Sequence, residues 1–325
     1  MDTPRWIKKD VSLKNYNTFR IGGKTKYFTK ISSKDKLIKT LNWVKENSLP
    51  IFILGNGSNV LFSDKKYQGI IIKIENNKIK KINKKTIVVG AGMMLVELLQ
   101  TFLNKGLSGL EWANGIPATV GGVVFSNAGG FGYDFGKFVK EVRAIDLKTG
   151  KEKIYSQSDC NFKYRNSIFK KNKEIISSKV KNKVLEQSEQ VLIWEVELFI
   201  KKGDKVKMRE KTKDYWQYKI KNGLFKYPSA GSIFKNLFAK NIPLKYRKGA
   251  TIKKGKISTG WFIEKCNLKG KKYGGAMISN FHANVIFNIK NAKANDVLYL
   301  INLCKKKVYK KFKIKLEEEI IVVNY

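Results

Sequence analysis

Several residue types that would indicate particular classes of protein are scarce in this sequence of 325 residues. It has three cysteines, Cys160, Cys266 and Cys304, far apart and without metal-binding spacing, so reduced thiols in the cytosol are expected. Its single histidine, His282, offers no metal-ligand set, and we expect no metal site. No run of about 18 apolar residues occurs, so no transmembrane helix or membrane insertion is expected. The N-terminal stretch lacks the apolar core of a secretory signal.

Arginine and acidic residues are also scarce, whereas lysine is abundant. Lys and Arg total 66 against 26 acidic residues, which gives a formal charge of +40, yet only six of the 66 are Arg. A specific nucleic-acid surface would favour a basic stripe with Arg and interleaved aromatic residues. Here Lys is spread along the whole chain, as drift toward AT-rich codons also produces. We therefore expect no specific nucleic acid partner, only weak binding that salt abolishes, and a field that favours an anionic nucleotide substrate.

The most distinctive stretch is rich in glycine, low in charge and runs from Gly109 to Tyr133 (GLEWANGIPATVGGVVFSNAGGFGY). Glycine has no Cβ atom, so this backbone can turn sharply and approach a flat or anionic ligand. A second such stretch, 54–61 (LGNGSNVL), follows an apolar run and is typical of a strand that enters an anion-binding glycine turn. Two such stretches favour a dinucleotide site. Neither fits the G-x-G-x-x-G or G-x-x-x-x-G-K-[ST] pattern, which disfavours a Rossmann domain and a P-loop.

Hydrophobic periodicity predicts many short elements of both kinds. The chain is longer than a typical domain with a single hydrophobic core, so two or three domains are expected. The segment 236–258 has no clear period and is predicted to be a loop. Mixed helices and short strands predict an α+β fold. Helices are predicted over 34–47, 94–105, 205–221, 260–267 and 294–312, and strands over 51–54, 69–74, 86–90, 139–146, 191–200, 273–279, 283–289 and 316–323.

An ordered set of motifs resembles the UDP-N-acetylenolpyruvoylglucosamine reductase family. Besides the two glycine stretches, the set comprises NTFRIGG at 17–23, YRNS at 164–167, PSAGSIFKN at 228–236, GWFIEKCNLKG at 260–270 and LEEEI at 316–320. The resemblance implies an α+β fold with a two-part FAD-binding region of the vanillyl-alcohol-oxidase/PCMH type and a smaller α+β substrate-binding domain. The boundaries expected are 1–75 for the first FAD-binding subdomain, to which the C-terminal strand could return, 76–205 for the second, and 206–325 for the substrate-binding domain.

The resemblance also implies an activity. It is the reduction by NADPH of the enolpyruvyl ether of UDP-N-acetylglucosamine to UDP-N-acetylmuramate, with non-covalent FAD, in peptidoglycan precursor synthesis. The corresponding expectation is a cytoplasmic monomer that serves cell wall biogenesis, cell shape and cell division. Three alternatives stay open: a FAD-dependent sugar or alcohol oxidase of the same fold, a basic nucleic-acid-binding protein, and an inactive structural remnant, against which the presence of Arg165, Ser232 and Glu319 argues. The short distance from Ser167 to Val191 favours the family form without a substrate-gating tyrosine loop, but the long segment after Asn236 leaves the subtype open.

The implied reaction sets chemical requirements. Hydride addition to the enolpyruvyl group builds negative charge on the carbon beside the carboxylate, so a cation or donor is needed at the carboxylate and an acid at that carbon. Arg165 suits the first role because a guanidinium binds a carboxylate through two parallel hydrogen bonds, although the residues alone favour a surface Arg equally. Ser232 would ordinarily be a turn residue. The family motifs imply that Ser232 donates the proton and that Glu319 is the third catalytic residue; Glu318 replaces a common Pro.

The remaining site residues are implied by the same motifs. Substrate contacts are expected from Lys235, Asn236, Lys269 and His282, where the family has a variable polar residue at the last position. Ala118 stands where the family usually has Gly. The shorter glycine stretch is expected to hold the FAD pyrophosphate through Gly55, Asn56, Gly57, Ser58 and Asn59. The longer stretch is expected to surround the flavin through Gly115, Ile116, Pro117, Thr119, Gly121, Gly122, Asn127, Gly129 and Gly130.

Overall fold

The computed structural model describes residues 2–171 and 191–323. They fall into two compact units. The first unit is drawn from Met1–Val11, Thr25–Asn56 and Lys66–Gln217, and the second from Ser12–Lys24, Gly57–Lys65 and Tyr218–Tyr325. The chain therefore passes from the first unit into the second between Asn56 and Gly57, inside the shorter glycine stretch.

The described residues form α-helices and many short strands, several of which follow one another without a helix between them. The α-helices are α1 (Lys34–Glu46), α2 (Leu95–Lys105), α3 (Val120–Ser126), α4 (Ile168–Lys171), α5 (Lys205–Lys221), α6 (Thr259–Glu264) and α7 (Ala294–Phe312). The strands are β1 (Lys8–Ser12), β2 (Lys24–Ile31), β3 (Ile51–Leu54), β4 (Val60–Phe62), β5 (Tyr67–Ile74), β6 (Ile79–Ile82), β7 (Thr86–Gly90), β8 (Leu107–Ser108), β9 (Gly129–Gly130), β10 (Tyr133–Asp134), β11 (Val139–Asp146), β12 (Glu152–Ser156), β13 (Val191–Phe199), β14 (Lys201–Lys202), β15 (Leu237–Phe238), β16 (Ile252–Lys253), β17 (Lys256–Ile257), β18 (Lys272–Tyr273), β19 (Ala276–Ile278), β20 (Ile286–Asn288) and β21 (Ile321–Val323).

The first unit contains two sheets that share one apolar core. One sheet has the order β1-β2-β5-β3, in which β2 and β3 both run parallel to β5. The other is antiparallel, in the order β12-β11-β13-β7-β6. α1 begins where Ser33 accepts a hydrogen bond from the N–H of Lys36, and it buries Leu37, Leu41 and Val44, which recur at helical spacing. The shorter glycine stretch begins at the C-terminal end of β3, the strand that follows α1.

The second unit gathers its core around α7. That helix buries residues at three- and four-residue intervals, including Val297, Ile301, Cys304 and Val308. It contacts the antiparallel sheet β18-β19-β20, and β15-β17-β16 forms a second small sheet. The C-terminal strand β21 pairs in parallel with β4, which follows the shorter glycine stretch. Residues from both ends of the chain therefore build this unit.

Most predicted elements are confirmed, with three errors. The bounds of β3, β7, β11, α5 and α7 match the prediction. The single strand predicted over 273–279 is wrong, because β18 and β19 form an antiparallel hairpin there. The loop predicted over 236–258 is wrong in part, because β15, β16 and β17 form a sheet there from two-residue strands too short to show a period. The strand predicted over 316–323 is also too long. Only β21 is a strand, preceded by one isolated bridge at Glu318.

Candidate active site

The two glycine stretches contact each other within the first unit. Gly55 follows β3 and packs so closely on the longer stretch that a Cβ atom there would lie 2.5 Å from Oγ1 of Thr119. The side chain of Asn56 donates to the carbonyl of Pro117 over 2.8 Å. A larger residue at position 55 would push the stretches apart. The structure thus brings together four residues that the sequence assigns to one cofactor site.

The turn before α3 places several more of these residues. Gly115 has a φ of +75°, which favours glycine, and the N–H of Ile116 donates to the carbonyl of Ala113 over 3.0 Å. Thr119 then caps α3 by accepting from the N–H of Gly122 at 3.3 Å. That hydroxyl is also the one atom of the described residues that a Cβ at Gly122 would meet within 4 Å. Gly122 therefore presents an outer side that the described residues do not fill.

Gly121 differs from its neighbour in α3. Its N–H donates to the carbonyl of Ala91 over 2.8 Å, and a Cβ there would lie 2.9 Å from the Cβ of Ala91. Glycine is thus required at position 121 by packing inside the protein, because a Cβ at that distance forces the neighbouring backbone to shift.

Asn127 ties the end of α3 to the YRNS segment. It is 3% exposed, adopts a φ of +43°, and donates from Nδ2 to the carbonyl of Lys163 over 2.8 Å. Its Oδ1 accepts from the N–H of Gly136 at 2.8 Å. The amide of Asn127 is therefore engaged with backbone groups at both ends. These bonds place Tyr164 and Arg165 beside the longer glycine stretch.

Arg165 is held against that stretch by its guanidinium. Its Nη2 donates to the carbonyl of Gly129 over 2.6 Å, and its Nη1 lies 3.8 Å from Oδ1 of Asp134. The side chain is 15% exposed and lies over the ring of Tyr164, with 5.1 Å between the guanidinium carbon and the ring centroid. The residue has a φ of +54°, a strained conformation for a residue with a side chain. A Cβ atom added at Gly130, the residue after its acceptor, would meet its nearest neighbour among the described residues only at 3.9 Å.

In the second unit, Gly57 continues the shorter glycine stretch. It has a φ of +65°, and a Cβ there would lie 2.3 Å from the carbonyl oxygen of Tyr16 and 2.7 Å from Cα of Asn17. Ser58 and Asn59 follow, both half-buried. Asn59 donates from Nδ2 to the carbonyl of Glu319 over 3.0 Å. The NTFRIGG stretch and the LEEEI stretch thus both contact this loop.

The segments of Ser232 and Glu319 pair with each other in the second unit. Phe234 and Glu318 form an isolated antiparallel bridge, flanked by hydrogen bonds from the N–H of Lys235 to Glu317 O at 2.9 Å and from the N–H of Glu319 to Ile233 O at 2.7 Å. Ser232, which is exposed, forms a second bridge with Val285. The structure therefore brings the two catalytic candidates of this unit onto neighbouring segments.

The three glutamates of LEEEI have different surroundings. Glu317 forms an ion pair with Lys235, a predicted substrate contact whose side chain is 18% exposed. Glu318 forms an ion pair with Lys305 of α7. Glu319 is anchored through its backbone on both sides, by Ile233 and by Asn59. The two residues immediately before Glu319 are therefore paired with different parts of the unit, one with the segment that carries Ser232 and the other with α7.

His282 has an acceptor role in this structure. Its Nδ1 accepts a hydrogen bond from the N–H of Asn284 at 3.2 Å. Burial lowers the pKa of His282 below its ordinary value of 6.5, and the nearby Lys269 lowers it further, while Glu264 raises it. The neutral ring is therefore the favoured form, and it serves the turn before Asn284. Lys269 also forms an ion pair with Glu264 at 2.9 Å.

Asn236 lies close to the start of α6. Its Oδ1 accepts from the N–H of Thr259 at 3.2 Å, and the Thr259 hydroxyl donates to the carbonyl of Lys235. These bonds connect the predicted substrate contacts at 235 and 236 to the first residue of a helix. They fix the backbone carbonyl of Lys235 and the side-chain amide of Asn236.

Two family models match this chain. Residues 223–323 match the family model of the C-terminal domain of UDP-N-acetylenolpyruvoylglucosamine reductase, and residues 25–154 match the FAD binding domain. UDP-N-acetylenolpyruvoylglucosamine reductase of Carboxydothermus hydrogenoformans is 33% identical over 325 residues, which cover 98% of this chain and 94% of that protein. This chain belongs to the UDP-N-acetylenolpyruvoylglucosamine reductase family.

Another relative and a solved structure match the same reductase family. The reductase of Thermosipho melanesiensis is 35% identical over 309 residues, covering 95% of this chain and 92% of that protein. The crystal structure of UDP-N-acetylenolpyruvylglucosamine reductase from Thermus caldophilus matches with a TM-score of 0.73 and 27% identity, over 98% of this chain and 100% of that one. The resemblance noted in the sequence is confirmed, as is the α+β fold class with an FAD-binding region and a smaller substrate-binding domain.

Two expectations drawn from the composition concern metal sites and membrane-spanning helices. Within residues 2–171 and 191–323, no group of three or more His, Cys, Asp or Glu side chains is arranged to hold a metal ion. None of the helices in the described part of the chain is long and apolar enough to cross a membrane.

The interval between Ser167 and Val191, on which the subtype of the gating loop depends, lies mostly outside the described residues.

Sequence reasoning assigned no role to three residues that have unusual surroundings in the structure. Asn284, 2% exposed, accepts from the N–H of Phe234 at 2.9 Å and donates to its carbonyl at 2.8 Å. The hydroxyl of Thr18, which follows Asn17 in the NTFRIGG stretch, donates to the carbonyl of Ser229. Lys219 is 7% exposed, and burial lowers its pKa to about 8, an unusual state for a lysine. Only their surroundings distinguish these residues from other Asn, Thr and Lys residues of the chain.

Proposed function

We propose that this chain reduces the enolpyruvyl ether of UDP-N-acetylglucosamine to UDP-N-acetylmuramate, with FAD as cofactor and NADPH as electron donor, and so supplies a peptidoglycan precursor. The observation that carries the proposal is the pairing of the Ser232 segment with the Glu319 segment. It occurs in a chain whose relatives of matching length bear the name UDP-N-acetylenolpyruvoylglucosamine reductase.

The glycine stretches fit an FAD molecule. Gly122 and Gly130 leave open sides where a flat ring can approach the backbone, whereas Gly55 and Gly121 are required by close packing inside the protein. Gly57 keeps the turn of the shorter stretch in a left-handed conformation that favours an anion-binding nest of N–H groups. Held by these residues, FAD would supply the hydride chemistry, with NADPH as the source of the hydride and the enolpyruvyl carbon as its acceptor.

Arg165 is proposed to bind the carboxylate of the enolpyruvyl group. Its bond to Gly129 and its position over Tyr164 orient the guanidinium, while Oδ1 of Asp134 lies 3.8 Å from Nη1, beyond ordinary hydrogen-bond distance. A fixed cation of this kind stabilises the negative charge that develops beside the carboxylate during hydride addition. Because the geometry exists in advance, little reorganisation is needed at the moment of reaction.

Ser232 and Glu319 are proposed to handle the proton. Ser232 is exposed on a turn whose next residue, Ile233, is fixed by backbone bonds to Asn284 and Glu319. A serine hydroxyl is a poor acid, so it needs polarising neighbours to deliver a proton to the carbon beside the carboxylate. Glu319, on the neighbouring segment, is proposed to stabilise or protonate the intermediate.

Lys235, Asn236, Lys269 and His282 are proposed to contact the nucleotide substrate. Both lysines already carry carboxylate partners, and Glu317, the partner of Lys235, is 67% exposed. A diphosphate can replace such an exposed carboxylate, because it offers more acceptor oxygens and a higher charge.

The organisation of the chain forms part of the proposal. The first FAD-binding subdomain is assigned to 1–75, the second to 76–205, and the substrate-binding domain to 206–325. The family models support only the separation of an FAD-binding region from a C-terminal domain, since the first match lies within 1–205 and the second within 206–325. A cytoplasmic monomer that serves cell wall biogenesis, cell shape and cell division, without a specific nucleic acid partner, is proposed with it.

The absorbance spectrum of the purified protein tests the proposal. We expect absorbance at about 450 nm that is released with FAD on denaturation, is bleached anaerobically by NADPH, and returns on addition of the enolpyruvyl substrate. A colourless protein that takes up no added FAD would refute it. Colour that returns with oxygen but not with the substrate would favour the oxidase alternative. Tight, sequence-selective nucleic-acid binding at physiological salt would favour a nucleic-acid-binding protein.

A further inference from the structure

Thr18 makes two hydrogen bonds to segments that are distant in sequence. Its N–H donates to the carbonyl of Gly57 over 3.2 Å, and its Oγ1 donates to the carbonyl of Ser229 over 2.7 Å. Gly57 belongs to the shorter glycine stretch, and Ser229 lies three residues before Ser232. A single residue of the second unit therefore connects the segment assigned to the cofactor with the segment assigned to the acid.

The turn that carries Thr18 is rigid. Asn17 is 7% exposed and donates from Nδ2 to the carbonyls of Leu13 and Ile21, over 2.6 and 2.9 Å. Gly57 packs on this turn so closely that a Cβ there would lie 2.7 Å from Cα of Asn17. Because buried, fully bonded polar groups resist displacement, a movement of Gly57 is transmitted to Thr18 instead of being absorbed by the turn.

The loop on the other side of Thr18 lies between two fixed ends, since the carbonyl of Pro228 accepts from the N–H of Asn288 at 2.9 Å and Ser232 forms a bridge with Val285. It reaches Ser232 through Gly231, which has a φ of +71° and no atom of the described residues within 4 Å of a Cβ position, and both residues are exposed. Beyond Ser232, the backbone is fixed by the bond from the N–H of Ile233 to Asn284 O at 2.8 Å. The bond from Thr18 to Ser229 restrains the loop at its other end.

We propose that Thr18 is a positioning residue that couples the cofactor loop at Gly57 to the loop of Ser232. When the cofactor pyrophosphate restrains the shorter glycine stretch, Thr18 passes that restraint to Ser229 and so narrows the range of positions open to Ser232. The inference rests on the proposed function and adds to it an ordering of events: cofactor binding prepares the acid.

The test compares Thr18→Val, which removes the hydroxyl but keeps the N–H and the shape, with Thr18→Ser, which keeps the hydroxyl. Thr29→Val is the matched control, because Thr29 is 1% exposed and its hydroxyl also donates to a distant carbonyl, that of Trp6, over 3.1 Å. Amide hydrogen exchange of the peptide 228–236 is measured in the apoprotein and in the FAD-loaded protein. Stopped-flow absorbance then follows flavin bleaching by NADPH and its return with substrate.

In the wild type, FAD is expected to slow exchange in 228–236. In Thr18→Val this protection should be lost, with exchange about 3- to 10-fold faster in the loaded protein, in line with the loss of one hydrogen bond. The return of colour with substrate should slow about 3- to 30-fold while bleaching by NADPH is unchanged. Thr18→Ser and Thr29→Val should behave as wild type in both measurements.

Equal FAD protection of 228–236 in Thr18→Val and wild type overturns the inference. If the valine variant fails to fold, Thr18→Ala removes the same hydroxyl without adding a methyl group at the bond, and the same two outcomes apply. A wild-type protein that binds FAD but does not regain colour with substrate refutes the proposed function instead, and the exchange measurement still decides the coupling.

Discussion

The side chain of Asn284 occupies both backbone polar groups of Phe234, accepting from the N–H at 2.9 Å and donating to the carbonyl at 2.8 Å. Asn284→Ala would leave two buried groups without partners, so we expect a loss of about 2–4 kcal/mol in the free energy of unfolding. It should also slow the return of flavin colour with substrate, because the Ser232 segment loses its support.

Urea unfolding and stopped-flow absorbance measure these two effects of Asn284→Ala. Asn76→Ala is the control, since Asn76 is 6% exposed and its amide donates to the carbonyl of Trp194 over 3.0 Å. The control should lose stability without losing the substrate half-reaction. Equal effects of both substitutions on that half-reaction would contradict a specific role for Asn284.

Ser232→Ala should leave the bleaching of flavin by NADPH unchanged, since that half-reaction needs no carbon acid. The return of colour with substrate should slow by about 10²- to 10⁴-fold, the usual contribution of a general acid. Ser232→Cys should keep part of the rate because a thiol can also deliver a proton. Ser229→Ala serves as control, since the carbonyl that Thr18 binds is retained. A wild-type rate in Ser232→Ala would reduce Ser232 to a turn residue.

Arg165→Lys should weaken catalysis although it keeps the charge. Lysine cannot present two parallel donors to a carboxylate while also bonding Gly129, as the guanidinium does at 2.6 Å. We expect kcat/KM for substrate to fall by about 10²- to 10³-fold, measured by steady-state kinetics. Arg143→Lys is the matched control, because Arg143 is bound to Glu141 at 3.1 Å on a strand of the antiparallel sheet. An equal loss in the two variants would argue against a carboxylate-binding role.

Gly57→Ala should destabilise the second unit and weaken FAD binding. Its φ of +65° disfavours any side chain, and the added Cβ would lie 2.3 Å from the carbonyl oxygen of Tyr16. Gly249→Ala separates these causes, because Gly249 has a φ of +79° and no atom of the described residues within 4 Å of a Cβ position. We expect Gly57→Ala to cost about 1–3 kcal/mol more than Gly249→Ala, with thermal unfolding and FAD titration as readouts. Similar costs would show that the close packing on Tyr16 does not matter.

His282 should make the stability of the protein depend on pH. Burial lowers the pKa of this residue below 6.5 in the folded state, so the folded protein binds the proton less readily than the unfolded chain does. The resulting stability is fully present above pH 6.5 and is lost as the pH falls through the folded pKa. Since His282 is the single histidine of the sequence, His282→Asn should flatten this dependence. Urea midpoints at several pH values between about 5 and 8 measure it; an unchanged slope in the variant would assign the effect to another group.

Local pattern was sufficient for the longer elements. The apolar residues of α7 recur every three or four positions over 19 residues. In β11 the buried Val139, Val142 and Ala144 are separated by charged residues that are less buried, so the bounds of both elements could be predicted. The ordered motifs likewise identified the family, the glycine stretches and the three catalytic candidates. Each of these signals lies in a continuous stretch of chain, where neighbouring residues are sufficient to produce the pattern.

The tertiary structure alone decided what those stretches touch. The bonds from Thr18 to Ser229 and from Asn59 to Glu319 span 211 and 260 residues. Glu317 and Glu318 look alike in sequence, yet one pairs with Lys235 and the other with Lys305. The hydrogen bonds of Asn284 depend on a segment 50 residues away. Such contacts leave no local period, because they form only when the folding of two apolar cores brings distant polar groups within bonding distance and removes the water that would otherwise satisfy them.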